Sequence, residues 1–299
     1  MRIDAHVHIW HRNWLPDQAV RLYLEPLQKL KDLGLDDVFD FRLDNEIPFD
    51  DYDTPMYEYT SGMDANRLDY EVVLAIDFGL VNEGRMTLDE YMGWLFDKCS
   101  CDDRFIPFIG IDPNRKSAID DLNRLTKRHS PKGIKMYPAT GFYPDDPKYD
   151  PFWDAVDDLG LIVNTHAGMA LAPLDEKYCH PSMMRRVAER HPDTKFIIAH
   201  LGGKFHDELF PLMDACDNIY TDCSALQGWF YEDKDMIYRR LRDTMSRYPE
   251  RVVFGTDIPL YEFSLSTAEF IRFILEGDWG TEKMKDDLLG NNMARILGL

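Results

Sequence analysis

Cysteine is too scarce and too scattered to organise this 299-residue chain: Cys99, Cys101, Cys179, Cys216 and Cys223 form an odd set of five with no CxxC pair. A disulfide framework and a structural zinc knuckle are thereby excluded, and the thiols are expected to be reduced and mostly buried. Long apolar runs are missing too: no stretch reaches the ~18 residues of a membrane span, and the opening Met1-Arg2-Ile3-Asp4-Ala5-His6 has no apolar core of a secretory signal. A cytoplasmic protein is expected. Low-complexity tracts are also lacking, so the chain should fold throughout. Basic residues run short, with 34 Lys and Arg against 54 Asp and Glu and a formal charge of −20. That excess repels phosphate backbones and anionic membranes, which leaves a small molecule as the expected partner rather than nucleic acid or membrane. A solvated acidic surface accounts for the charge, and a local basic pocket for an anionic substrate is compatible with it.

What the chain does contain is a rhythm. Short Val/Ile/Phe-rich runs alternate with helical patterns, the mark of βα units feeding a parallel sheet. Eight runs are found: Arg2 to Ile9, Glu71 to Asp77, Arg104 to Ile111, Gly133 to Tyr137, Leu161 to His166, Lys195 to His200, Asn218 to Asp222 and Arg251 to Asp257. From the second onward their ends lie 22 to 35 residues apart, close to the ~30 of one βα unit. The glycine-rich GxGxxG turn of an open doubly wound sheet is absent. The spacing predicts an α/β fold, a single (β/α)8 TIM barrel over residues 1–299, since such barrels use ~250 residues as one domain. Helices are expected at Met86 to Lys98, Lys116 to Arg128, Pro151 to Leu159, Pro181 to Arg190, Asp207 to Cys216, Lys234 to Arg247 and Ser266 to Leu275. The gap after the first strand is too long for one crossover. It predicts an insertion over about residues 11–66, helical from Leu15 to Leu33 and acidic from Asp36 to Asp53. A lid or specificity loop, a subunit contact in a homo-oligomer, and a plain solvated excursion all fit it.

In Ile3-Asp4-Ala5-His6-Val7-His8, the strand period of two predicts Asp4, His6 and His8 on one face and Ile3, Ala5 and Val7 on the other. Cα atoms two apart on a strand are separated by about 6 to 7 Å, which lets two imidazoles converge on one ion. Alone, His-x-His is weak evidence. Two further runs end in histidine, His166 and His200, and the eighth ends in Asp257, which puts five groups at one barrel rim. An imidazole-rich set with one carboxylate suits Zn²⁺, with Mn²⁺ or Fe²⁺ as alternatives, better than Ca²⁺ or Mg²⁺. His129, His180, His191 and His206 fall in or near helices, where surface and capping positions are commoner. Trp10, His11 and Arg12, which follow the first strand, and Tyr137 and Asp222 at two other strand ends are candidates to line the pocket.

At these residues the chain resembles the amidohydrolase superfamily, in its amidohydrolase-related (amidohydrolase 2) branch. The likeness rests on Asp4-Ala5-His6-Val7-His8, Lys132-Gly133-Ile134-Lys135, Thr165-His166, Ala199-His200-Leu201-Gly202-Gly203, Gly255-Thr256-Asp257-Ile258-Pro259 and the closing Asn291-Asn292-Met293-Ala294-Arg295-Ile296-Leu297. The resemblance implies that His6, His8 and His166 ligate one metal, that Asp257 completes the set or deprotonates the attacking water, and that His200 supports or performs proton transfer. Lys135 is carboxylated between two metals in other branches; here one metal is expected, because carbamylation needs a neutral, strongly desolvated amine. An unmodified Lys135 would bind substrate with Tyr137, Trp10 and Arg12.

The expected activity is hydrolysis of a small ester, lactone, amide or carbon–carbon bond. Non-oxidative decarboxylation of an aromatic or unsaturated acid is the alternative. His200-Leu201-Gly202-Gly203-Lys204-Phe205 departs from the Gly-Glu and Gly-Gly-Gly patterns that decarboxylating relatives often carry after this histidine. A metal-free binding protein on a degenerate barrel is the third class, and the intact ligand set argues against it.

Overall fold

The computed structural model describes residues 1–11, 13–14, 32, 56–79, 85–170, 174–262 and 264–299. Arg12 and nearly all of the Leu15 to Asp53 excursion lie outside them. Eight strands, β1 (Ile3–Val7), β2 (Tyr70–Leu74), β3 (Phe105–Gly110), β4 (Gly133–Met136), β5 (Ile162–Thr165), β6 (Phe196–Ile198), β7 (Ile219–Asp222) and β8 (Val252–Val253), pair in chain order. Every pairing is parallel. The ring closes where Ala5 N donates to Phe254 O and Asp257 N to His6 O, each at 2.8 Å. The (β/α)8 barrel follows the expected strands to within a few residues.

Seven helices follow β2 to β8 in turn: Leu88–Cys99, Ala118–His129, Asp150–Asp158, Arg185–Arg190, His206–Ala215, Lys234–Arg247 and Thr267–Glu276. Sequence fixes where two of them begin. Thr87 with Glu90 and Ser266 with Glu269 form capping boxes, in which each side chain satisfies a backbone N–H the first turn leaves free. Helix Met56–Asn66 was not among the expected ones; its polar run buries only Met63, so no apolar stripe announces it.

Two apolar layers hold the barrel. Val73, Ile109, Ile134, Val163, Ile198 and Val252 pack outward under the helices. A smaller cluster joins Ile3, Ala5, Val72, Leu74, Phe108, Ile197 and Val253 to Met293 and Leu297 of the last helix, Asn292–Leu297. Phe108 is wholly buried there, and truncating such a ring to alanine costs about 3–5 kcal/mol. It also dictates its neighbour: a Cβ on Gly133 would meet the Phe108 ring at 2.4 Å.

One expectation about β1 is corrected. Asp4 does not share the face of His6 and His8. Asp4 pairs with Glu71 and Val7 with Val73, with a register irregularity between them, while Ile3 and Ala5 join the small cluster with Val72 and Leu74. The irregularity resets the alternation, so that Ala5 and His6 both leave Asp4's side. Asp4 instead accepts from Thr256 N at 3.1 Å, Thr256 Oγ1 at 2.6 Å and His6 N at 3.1 Å. Its burial raises its pKa to about 7 despite those bonds.

Candidate active site

The strand ends deliver their polar groups to one cavity of about 250 Å³, walled by His6, His8, Lys135, His166, His200 and Asp257 among others. His6, His8 and Asp257 come together there, with nitrogen and oxygen atoms within 4.8 Å of one another. His8 Nε2 is 3.0 Å and His6 Nε2 3.5 Å from Asp257 Oδ1. His200 and Asp257 have positive φ, 62° and 64°, a conformation that costs a non-glycine residue of order 1–3 kcal/mol and gathers at functional sites.

The partners behind the rings decide which nitrogen faces the cavity. His8 Nδ1 donates to Leu74 O at 2.7 Å. His6 Nδ1 donates to Asp222 Oδ2 at 2.9 Å. Asp222 is wholly buried and also accepts from Asn164 Nδ2 at 3.1 Å, His200 N at 2.9 Å, Ser224 N at 3.1 Å and Ser224 Oγ. With its proton given to Asp222, Ser224 Oγ accepts from His200 Nδ1 at 2.8 Å. His166 Nε2 donates to Met169 O at 2.9 Å, which leaves Nδ1 facing His200 Nε2 at 3.2 Å. Lone pairs therefore face one another twice: His8 Nε2 toward Asp257 Oδ1, and His166 Nδ1 toward His200 Nε2. Each needs a proton or a cation in the shared space. Three imidazole nitrogens or more with one carboxylate suit a divalent transition metal, so the donor set fits one.

Electrostatics agree with that reading. Burial, with Lys135 adding repulsion, lowers the His6 pKa to about 3, and burial likewise lowers His166 and His200. The rings are thus neutral, the form that ligates. Burial alone would raise Asp257; positive charge in the space it shares with His6, His8 and His200, on a ring or on an ion, is what holds its carboxyl below the usual range. Lys135, also buried, falls to about 8, its Nζ 2.7 Å from Asn164 Oδ1 and 3.1 Å from His6 Nε2.

His166 stands outside the two compact groups, His6–His8–Asp257 and His6–His200–Asp222. Lys135, Trp10 and Tyr137 line the cavity as expected, and Trp10 stacks on His8 with ring centroids 4.7 Å apart. His11 and Asp222, also expected to line it, do not: His11 packs edge-on against Trp94, and Asp222 lies behind His6. His129, His180, His191 and His206 keep clear of it. Asn164, Ser224, Trp229, Arg240 and Tyr261 had not been singled out. Asn164 sits two residues before a strand-end histidine, where strand period alone points it inward; nothing local marked the others.

No helix among the described residues is long and apolar enough to cross a membrane. No curated protein sequence matches the chain. Solved structures share its fold. An uncharacterized TIM-barrel protein of Bordetella bronchiseptica has a TM-score of 0.72 at 18% identity, covering 99% of this chain and 98% of its own. A 5-carboxyvanillate decarboxylase of Novosphingobium aromaticivorans, complexed with manganese and 4-hydroxy-3-methoxy-5-nitrobenzoic acid, has 0.65 at 15%, covering 100% and 96%. A putative 2-pyrone-4,6-dicarboxylic acid hydrolase of Pseudomonas putida has 0.65 at 14%, covering 99% and 97%. At such identities these likenesses speak to the fold. The family model described as amidohydrolase matches residues 3–299, and with strand-end histidines and aspartate gathered at the barrel mouth, the chain belongs to the amidohydrolase family.

Proposed function

We propose that the chain is a metal-dependent hydrolase acting on a small carbonyl substrate, with one divalent ion, Zn²⁺ in the first instance and Mn²⁺ or Fe²⁺ as alternatives, held by His6, His8, His166 and Asp257. The observation that carries this is the lone pair of His8 Nε2 turned on Asp257 Oδ1 at 3.0 Å, in the cavity that His166 and His200 also line. When bound, such an ion supplies Lewis acidity, polarising a carbonyl and making water nucleophilic near neutral pH. The rest is done by the chain. His200, neutral because it is buried and with Nδ1 committed to Ser224, turns its Nε2 lone pair into the space it shares with His166 Nδ1, there to take the attacking water's proton and return it to the leaving group. Asp257 stays ionised. Lys135 Nζ keeps one proton for a substrate oxygen, and Trp10, Phe78 and Tyr137 narrow the cavity around the reacting groups.

A second reading, decarboxylation of an aromatic or unsaturated acid, draws on the aromatic side chains in the cavity wall and on the decarboxylase of the same fold. Metal analysis of protein purified without chelators, followed by a screen of lactones, esters and aromatic acids for acid release or CO₂ release, tests both. About one equivalent of metal per chain is expected. Negligible metal, together with full activity of a His6→Ala/His8→Ala double variant, would overturn the metal-dependent reading.

A further inference from the structure

In a chain with 54 acidic and 34 basic residues, the cavity wall inverts the balance. Among the described residues it holds Lys135, Lys204 and Arg240 against one carboxylate, Asp257. Two of the three cations already have partners. Lys135 bonds to His6 and Asn164, and Lys204 pairs with Glu176 and lies over the Phe205 ring. Arg240 is different. Its Nη1 donates to Gly203 O at 2.8 Å, and that is the guanidinium's one bond among the described residues. Arg104, Arg115, Arg186 and Arg247 each grip an aspartate at 2.7 Å or less. Asp207 and Asp233 stand near enough to Arg240 to be felt, yet neither pairs with it. A half-buried guanidinium with five donors and one acceptor is an expensive thing to leave at a cavity wall.

Helix Lys234–Arg247 explains its aim. Asp233 caps the helix by accepting from Met236 N, and Ile237, Leu241, Thr244 and Met245 bury the inner stripe. Met236 and Arg240, one turn apart, then face the cavity together. The volume, about 250 Å³, lies below the ~300–1,000 Å³ usual for drug-sized ligands, so the occupant is small. Aromatic and aliphatic side chains, including Phe78, Trp229 and Leu260, share that wall with the charged groups.

We propose that Arg240 is a specificity-determining residue: it binds a carboxylate of the substrate, which is a small acid whose other functional group reaches the His6–His8–Asp257 cluster. This deepens the proposed function and rests on it for the reacting end only. The guanidinium keeps Nη1 on Gly203 O and offers its remaining N–H fork to the carboxylate, the geometry that arginine matches bidentately.

The test titrates benzoate and its neutral isostere benzamide against the purified holo-protein, following the tryptophan fluorescence of Trp10 and Trp229. Tighter binding of benzoate than benzamide is expected. Arg240→Gln keeps a donor for Gly203 O but drops the charge, and should weaken benzoate about ten- to a hundred-fold while benzamide binds as before. Arg240→Lys should fall between and serves if the glutamine variant misfolds. Metal content is measured on the same samples and should not change. Equal benzoate affinity in the parent and Arg240→Gln overturns the proposal, as does an equal loss of both probes, which would make Arg240 a mere prop for the Gly203 loop. A chelated arm locates the anion. If chelation abolishes benzoate binding that Arg240→Gln leaves intact, the carboxylate sits on the metal and the proposal falls. A parent protein with no metal would sink the metal-dependent reading, yet the benzoate contrast would still decide this one.

Discussion

Asp222 and His6 form a closed pair, Oδ2 to Nδ1 at 2.9 Å, with both side chains shut away from solvent. The carboxylate fixes the tautomer: the proton stays on Nδ1 and the Nε2 lone pair is left for the cavity. Removing such a partner costs about 10- to 100-fold in metal affinity. Asp222→Asn is therefore expected to lose metal to a chromogenic chelator at a concentration about 10- to 100-fold lower than the parent requires. Unchanged retention would show that the pairing only packs the barrel.

His200 and Asp257 should fail differently. Asp257→Asn is expected to release metal and turnover together. His200→Asn should keep the ion and lower the rate by about 10² to 10⁴, the usual contribution of general acid–base catalysis. Metal-to-protein ratios of the two variants decide it. If His200→Asn loses the ion, His200 is a ligand, and a binuclear centre with a carboxylated Lys135 replaces the single-metal assignment.

The barrel was legible because each strand is short, apolar and bounded, and because strand ends carry the ionisable residues. His6, His8, His166, His200 and Asp257 announce themselves by ending a run. The support for them does not. Ser224 lies two residues past the end of β7, and its role exists only because Asp222 and His200 stand on either side of its hydroxyl. Arg240 sits on a helix face that reads as ordinary amphipathic surface. The β1 alternation misled for a definite reason, since an irregularity in pairing leaves no mark on residue order.

Asp112 offers a pH test away from the histidines. It is 2% exposed, and Oδ2 has no hydrogen-bond partner. Burial, with repulsion from Asp77, raises its pKa from 3.8 to about 6. Folding thus favours the protonated form: its contribution is fully present below about pH 3.8 and lost as pH rises through about 6. A shift of this size is worth about 3 kcal/mol. Between pH 4 and 7.5, Asp112→Asn should gain up to about that much on the parent in unfolding free energy. Parallel pH profiles would contradict it.

Gly203 has φ 56° and ψ −129°, and a Cβ there would stand 2.6 Å from Gly168 Cα. Gly203→Ala should cost about 1–3 kcal/mol, lowering Tm by roughly 2 to 5 °C. It should also slow turnover, since His200 is carried on the same left-handed stretch. A variant with the parent's Tm and rate would show that the two loops yield independently.

The register reset in β1 makes that strand intolerant of insertion and deletion in a way the surrounding loops are not. A surface loop absorbs an extra residue by bulging. In β1, a residue gained or lost between Asp4 and His6 exchanges the faces of everything beyond it, turning Val7 toward the cavity and His6 toward the helices. Substitutions in this segment can be graded by chemistry, but changes in its length should be all-or-none, because the two imidazoles share one count of residues from the Asp4 carboxylate.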